Sequence, residues 1–265
     1  MVSESEPNEY PRPRPLPDPD SDAEREFDLL LAASLDLPAP SPSPAGPLRI
    51  ERRQGIVFSA PHQAAHMRDG ALLPSEYGSE ELAFALARNV NGSAVATAEG
   101  LAGDPNWDID HPYLDVVYDL AGGGPVIDLH KMWPRGVDMC VGLGPNLKTA
   151  ERLWVPIVKE AVSTGLRVAV NWPFAAGPVT VTGQLQNRGL EAIQIELSFD
   201  CYDPGPAKVA AWTSLLRAMR IILADLTPIA SIVHVGRAGG VPEWLRQSFE
   251  FVPGSVREAD DPVTH

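Results

Sequence analysis

Apolar residues fall along this chain in two alternating rhythms, and the alternation sets in near residue 48. One rhythm is a short unbroken run bounded by turn residues, the signature of a buried strand. Residues 56–60, 93–97, 126–130, 166–171 and 192–197 read this way, with 48–53 as an edge strand. The other rhythm is a spacing of three and four, the signature of an amphipathic helix. It is clearest behind Ser79, read as an N-cap, where Glu80 and Glu81 fill the first turn and Leu82, Ala83, Leu86, Ala87 and Val90 form the stripe that stops at Asn91-Gly92. Residues 114–120, 149–163 and 206–226 also read as helices, the second kinked or starting late at Pro156. Residues 180–187 fit either helix or strand, whereas 62–79, 99–113 and 172–178 read as loops. Strands alternating with helices mean an α/β sheet covered on both faces.

Composition separates the first 47 residues from the rest. They hold 11 of the 27 prolines, ten acids and three arginines, which is half of the formal charge of -14. Such a segment buries too little apolar surface to offset chain entropy, so 1–47 is expected to be a disordered tail. Within it, 22–37 carries Phe27, Leu30, Leu31 and Ser34 at helical spacing behind a cluster of acids. That is either a short helix docking on the domain or a partner, or a transient helix in a mobile tail. The catalytic domain is bounded at 48–255, and 256–265 reads as a frayed end.

Charge and cysteine content narrow the function. An acidic chain without clustered Lys and Arg does not offer a nucleic-acid surface. No apolar stretch approaches the roughly 20 residues that cross a bilayer. Cys140 and Cys201 are the only cysteines, widely spaced and without a leading signal peptide, which fits a cytoplasmic setting. A small-molecule substrate is the expected partner. Oligomeric state has no signal.

The candidate chemistry sits where core strands end. Val126-Ile127-Asp128-Leu129-His130 follows a glycine cluster, residues 56–60 run into Pro61-His62, and Glu196 lies in the run 192–197. In open α/β sheets ligands collect at the carboxyl ends of strands. Taken alone, His62 is more often a loop hydrogen-bonding group, and Glu76, fourteen residues on, a solvated acid. Asp128, two residues before His130, shares its side of a regular strand, where it can orient a histidine or bond the backbone. Asp138 has similar standing, while His66, Asp108, Asp110 and His111 read as loop polars. Gly142-Leu143-Gly144 lacks the third glycine of a dinucleotide fingerprint, and no Gly-x-Ser-x-Gly or His-Glu-x-x-His is present.

The ordered set Ala60-Pro61-His62, Arg68-Asp69-Gly70, Glu76-x-Gly78-Ser79-x-Glu81-Leu82-Ala83, Asp104-Pro105-Asn106, Ile127-Asp128-Leu129-His130, Asp138 with Gly142-x-Gly144, and Gln194-x-Glu196 resembles the N-formylglutamate amidohydrolase family. That family is related to the zinc carboxypeptidases and the poly-γ-glutamate hydrolases. The resemblance spans about residues 55 to 200. It implies a three-layer α/β/α sandwich with a mixed, mostly parallel sheet of the phosphorylase/hydrolase-like type. It also implies a zinc ion held by His62, Glu76 and His130, with Glu196 at the catalytic glutamate's position. The activity implied is cleavage of the amide of an N-acyl amino acid or similar small amide; the rival is a non-catalytic binding descendant. Two departures bear on substrate. His62-Gln63-Ala64 stands where relatives carry His-Gly-Gly, and Asn106-Trp107 where they carry Asn-Arg. The substrate side is therefore expected to involve Arg68, Asn106 and Trp107, with an apolar or aromatic group against Trp107.

Overall fold

The computed structural model describes residue 16 and residues 18–226. Expectations for 256–265, and for the end of the domain beyond 226, lie outside the described residues. Among the described residues, seven strands form the main sheet: β1 (Leu48–Glu51), β2 (Val57–Ala60), β5 (Ser93–Thr97), β6 (Val126–Met132), β7 (Met139–Gly142), β8 (Val168–Val170) and β9 (Ala192–Ser198), in the order β1-β5-β2-β6-β9-β7-β8. Four of the six pairings are parallel; β1 with β5 and β7 with β9 are antiparallel. The sheet is mixed and mostly parallel, as expected. A separate hairpin, β3 (His66–Arg68) with β4 (Ala71–Leu73), occupies part of the stretch read as a loop. Each of its strands has only three residues, too short for a periodicity to register.

The helices form two layers. α1 (Ser21–Ser34), α2 (Ser79–Val90), α4 (Leu147–Ser163) and α6 (Pro206–Leu226) pack among themselves on one face, whereas α3 (Pro112–Ala121) packs with α5 (Val181–Asn187) on the other. The ambiguity at 180–187 resolves as helix, because Thr180 caps it by accepting from the Gly183 amide. α4 runs through Pro156 and starts two residues earlier than predicted. α2 begins at Ser79, but its N-cap is Gly78, in the left-handed region at φ 97°; the Ser79 hydroxyl donates back to the Glu76 carbonyl. α6 matches its predicted span.

The boundary drawn at residue 47 does not separate packed from unpacked chain. α1 lies on α2 and α6, with Leu30 wholly buried and the Phe27 ring edge-on to Trp212 at 5.9 Å. Glu26 pairs with Arg217 and Arg220 of α6. Arg88 of α2 donates to the carbonyls of Ala33, Leu35 and Asp36, satisfying backbone acceptors left open where α1 ends. No helix among the described residues is long and apolar enough to cross a membrane. Both cysteines are buried and free.

One feature of the core positions the site. Val57, Val126 and Ala192 stand in register on the face under α3 and α5, packed with Tyr113, Leu114, Val117, Val181 and Leu185. Two residues on, the same face carries Ser59, Asp128 and Gln194, and beyond them His130 and Glu196. Side chains alternate across a strand, so a two-residue step stays on one face. The strands thus turn from apolar to polar as they approach their carboxyl ends. β2 connects to β5 through α2 on one face, and β5 to β6 through α3 on the other, so the ends of β2 and β6 flank a topological switch point.

Candidate metal centre

His62 follows β2, Glu76 precedes α2, and His130 lies on β6; the three offer ligand atoms within 4.8 Å of one another. Glu76 bridges the imidazoles, its Oε1 3.0 Å from His62 Nδ1 and its Oε2 3.2 Å from His130 Nδ1. Main-chain bonds hold it there: its own amide donates to the His62 carbonyl, and the Lys131 amide donates to its Oε2 at 2.9 Å. Gly78 permits this approach, because a Cβ there would sit 2.6 Å from the Tyr202 ring, whose hydroxyl donates to the His130 carbonyl.

Each imidazole is gripped from behind. His62 Nε2 lies 2.8 Å from Asp104 Oδ1, and His130 Nε2 lies 3.1 Å from Asp128 Oδ2. Asp104 also accepts from Arg68 Nε at 2.6 Å and from the Asn106 amide. Asp128 accepts from the Ser59 hydroxyl at 2.7 Å, and Ser59 is joined to Tyr113 at 3.0 Å. Carboxylates behind the outer ring nitrogens fix ring orientation and leave both Nδ1 atoms directed at Glu76.

Glu196 stands opposite His130 in the β6–β9 register, buried, and accepts from Gln194 Nε2 at 2.6 Å. Its carboxyl is pushed up to about 7, chiefly by burial and further by the charge of Glu76, against the opposing pull of His130. Burial alone would push His62 and His130 down. The neighbouring carboxylates reverse this, Glu76 and Asp104 for His62 and Asp128 and Glu76 for His130, so both end raised. Burial would raise Glu76 and Asp104, yet their basic partners hold both well below the usual carboxylate range.

This charge balance tests whether a metal fits. Glu76, Asp104, Asp128 and Glu196 crowd one region with Arg68 as its guanidinium partner. Isolated buried charge is costly, and the carboxylates around both imidazoles favour their charged forms, which offset it. A cation displacing protons from the Nδ1 side meets the same need. Two imidazole nitrogens with one carboxylate oxygen suit zinc and leave a fourth position open.

The remaining predicted residues divide. Arg68 is in the cluster through Asp104, and its guanidinium lies 5.0 Å from the Trp107 ring, which is 44% exposed. Asn106 is buried and its Oδ1 accepts from the Val181 amide, tying the loop to the start of α5. Asp128 lies in contact with His130 through its Oδ2. Asp138 does not serve a histidine: both its oxygens are taken by the Arg167 guanidinium and its backbone amide. Its partner lies just before β8, a pairing with no sequence signal. Asp104 and His66 are the residues the sequence reading missed. The His66 ring stacks on His62 with centroids 3.9 Å apart, and burial, aided by His62, pushes its pKa down to about 4. His111, also read as a loop polar, caps α3 by accepting from the Tyr113 amide.

Residues 120–203 match the family model for N-formylglutamate amidohydrolase, which bears out the resemblance seen in the motifs. Asp128, His130 and Glu196 fall inside the match; His62 and Glu76 precede it. Among solved structures, the N-formylglutamate amidohydrolase of Ralstonia eutropha JMP134 is similar at 16% identity and a TM-score of 0.46, covering 67% of this chain and 97% of its own. A gene product of Agrobacterium tumefaciens aligns at 14% identity and TM-score 0.47, covering 68% of this chain and 95% of its own. A bacteriophage poly-γ-glutamate hydrolase aligns at 17% and 0.45, covering 68% and 89%. No curated protein sequence matches.

Proposed function

We propose that this protein is a zinc-dependent amidohydrolase that cleaves the amide of an N-acyl amino acid or similar small amide. The observation that carries the reading is the convergence of His62, Glu76 and His130 within 4.8 Å beside a buried glutamate in register with one of them. The match of residues 120–203 to an amidohydrolase family model supports the reaction class.

His62, Glu76 and His130 would hold the metal. When bound, zinc supplies Lewis acidity toward an amide carbonyl and acidifies a water. Glu196 is the base: it takes the proton of the attacking water and delivers it to the departing amine. A carboxyl raised to about 7 is matched to that double task near neutral pH. Gln194 Nε2 fixes one oxygen of the base, directing its rotamer. Asp104 and Asp128 keep the outer imidazole nitrogens occupied, so that the inner ones are presented to the cation. On the substrate side, Arg68 spends Nε on Asp104, and the rest of its guanidinium, beside the Trp107 ring, is available to a polar or carboxylate group of the substrate.

The test is metal analysis joined to turnover. Purified protein should carry about one zinc per chain, lost in His62→Ala. It should release amine from N-acyl amino acids, and do so only with metal bound. A folded wild type that takes up no zinc and hydrolyses no N-acyl amino acid would overturn the reading.

A further inference from the structure

Beside the first donor set lies a second that shares one residue with it. His62, His66 and Asp104, all buried, offer ligand atoms within 4.8 Å of one another. In this group His66 Nε2 is a buried ring nitrogen with no hydrogen-bond partner, 3.6 Å from Asp104 Oδ2. The other ring nitrogen, Nδ1, faces the Ala64 carbonyl at 3.3 Å. A carbonyl only accepts, so Nδ1 carries the ring's hydrogen and Nε2 presents a lone pair toward a carboxylate. Asp104 Oδ2 already accepts from Arg68 Nε at 2.6 Å, so what lacks a partner here is the buried His66 lone pair, which a cation shared with the carboxylate would take up.

We propose that His66, Asp104 and the Nε2 edge of His62 form a second, alternative position for a divalent transition-metal cation. The His62 tautomer selects between this position and the His62–Glu76–His130 set. The inference rests on reading that first set as a metal site. A neutral imidazole has one lone pair and one N–H. A cation at the first set takes the lone pair on His62 Nδ1, and the hydrogen on Nε2 is donated to Asp104 Oδ1, 2.8 Å away. A cation at the second takes the lone pair on Nε2, and the hydrogen on Nδ1 is donated to Glu76 Oε1, 3.0 Å away. Each placement leaves His62 fully bonded, and each excludes the other. The unpaired His66 Nε2 is what remains when the second position is not in use.

The experiment is equilibrium dialysis of the full chain against zinc alone, with bound metal counted per chain in wild type, His66→Ala, His130→Ala, His130→Gln and the double variant His66→Ala/His130→Ala. Two replacements at His130 are used so that a folding defect in one does not decide the result, and thermal melting confirms which are folded. Wild type is expected to hold about one zinc. His66→Ala and a folded His130 variant should each retain zinc, the latter with affinity weakened about tenfold or more, and the double variant should hold none. If folded His130 variants lose zinc entirely while wild type and His66→Ala keep it, the second position does not exist and the first reading stands. If zinc stays in the His130 variants but is lost in His66→Ala, the second position stands and the Glu76 set fails. Two zinc ions bound together in wild type would overturn the mutual exclusion.

Discussion

His130 and Glu196 are direct register partners across β6 and β9. The imidazole that would hold the metal and the carboxylate that would move the proton are therefore spaced by a ladder of main-chain hydrogen bonds, not by a loop. Parallel neighbours lie about 5 Å apart, which brings the base beside the ligand without fusing their roles.

That separation of roles is measurable. Glu196→Gln keeps the shape of the side chain and cannot accept a proton, so turnover should fall by about 100- to 10,000-fold. Zinc content and melting temperature should stay near wild type. Glu76→Gln should instead lower zinc content at fixed free zinc. Loss of zinc in the first variant with retention in the second would reverse the two assignments.

Gly78 should be intolerant of a side chain for two additive reasons. Its φ of 97° costs any other residue about 1–2 kcal/mol, and a Cβ would strike the Tyr202 ring. Gly122, at φ 52° with open space around it, carries only the first penalty. Thermal melting should fall further in Gly78→Ala than in Gly122→Ala, and zinc affinity should drop only in the former. Equal behaviour would remove Tyr202 from the account of how Glu76 and His130 are held.

Leu30 is wholly buried on α1. Leu30→Ala should destabilise by about 2–5 kcal/mol, the usual range for a buried leucine, and removal of residues 1–47 should cost at least as much. An unchanged denaturant midpoint would mean that α1 contributes nothing to the folded state.

The cysteines should be inert. Burial pushes both Cys140 and Cys201 up to about 12. At pH 8 the thiolate fraction would then be about one in 10,000. Iodoacetamide should leave the folded protein unmodified and label both residues in denaturant. Rapid labelling of either under native conditions would contradict their burial.

Much of this arrangement was legible in the sequence, for identifiable reasons. Buried strands announce themselves as apolar runs, so the stretches delivering His130 and Glu196 could be found, and the ordered motifs paired them with His62 and Glu76. What stayed hidden depends on loops folding back. Asp104 reaches His62 only because the loop after β5 returns over the end of β2, and His66 reaches it only through a hairpin of three-residue strands. Asp138 looked like a site residue because it belongs to the ordered motifs, with Gly142-x-Gly144. Its bond to Arg167 is set by sheet order, which local pattern does not carry. α1 was masked by its surroundings: proline and acid dominate the composition, while the docking rests on a few residues, Phe27 and Leu30 with the Glu26 pairs to Arg217 and Arg220.

The edge position of β8 sets a requirement on the chain that follows. β8 runs with β7 and against β9, and its last residue, Val170, pairs with Val141, itself the partner of Ile195, one residue from the level of Glu196 and His130. Residues 171–180 must carry the chain from this edge strand back to α5, which packs on β9 and β6 and begins with the Val181 amide on Asn106. They do so pinned to the sheet: the Phe174 carbonyl takes the Cys140 thiol, the Ala175 carbonyl takes the Gly144 amide, and Ala176 lies against Gly142 where no side chain intervenes. Cys140 and Gly142 are the register partners of Glu196 and Gln194. This stretch is thus a strut of fixed span beside the base. Side chains along it can vary, but a deletion would pull α5, and Asn106 with it, toward the edge strand, and an insertion would buckle the strut toward the glutamate.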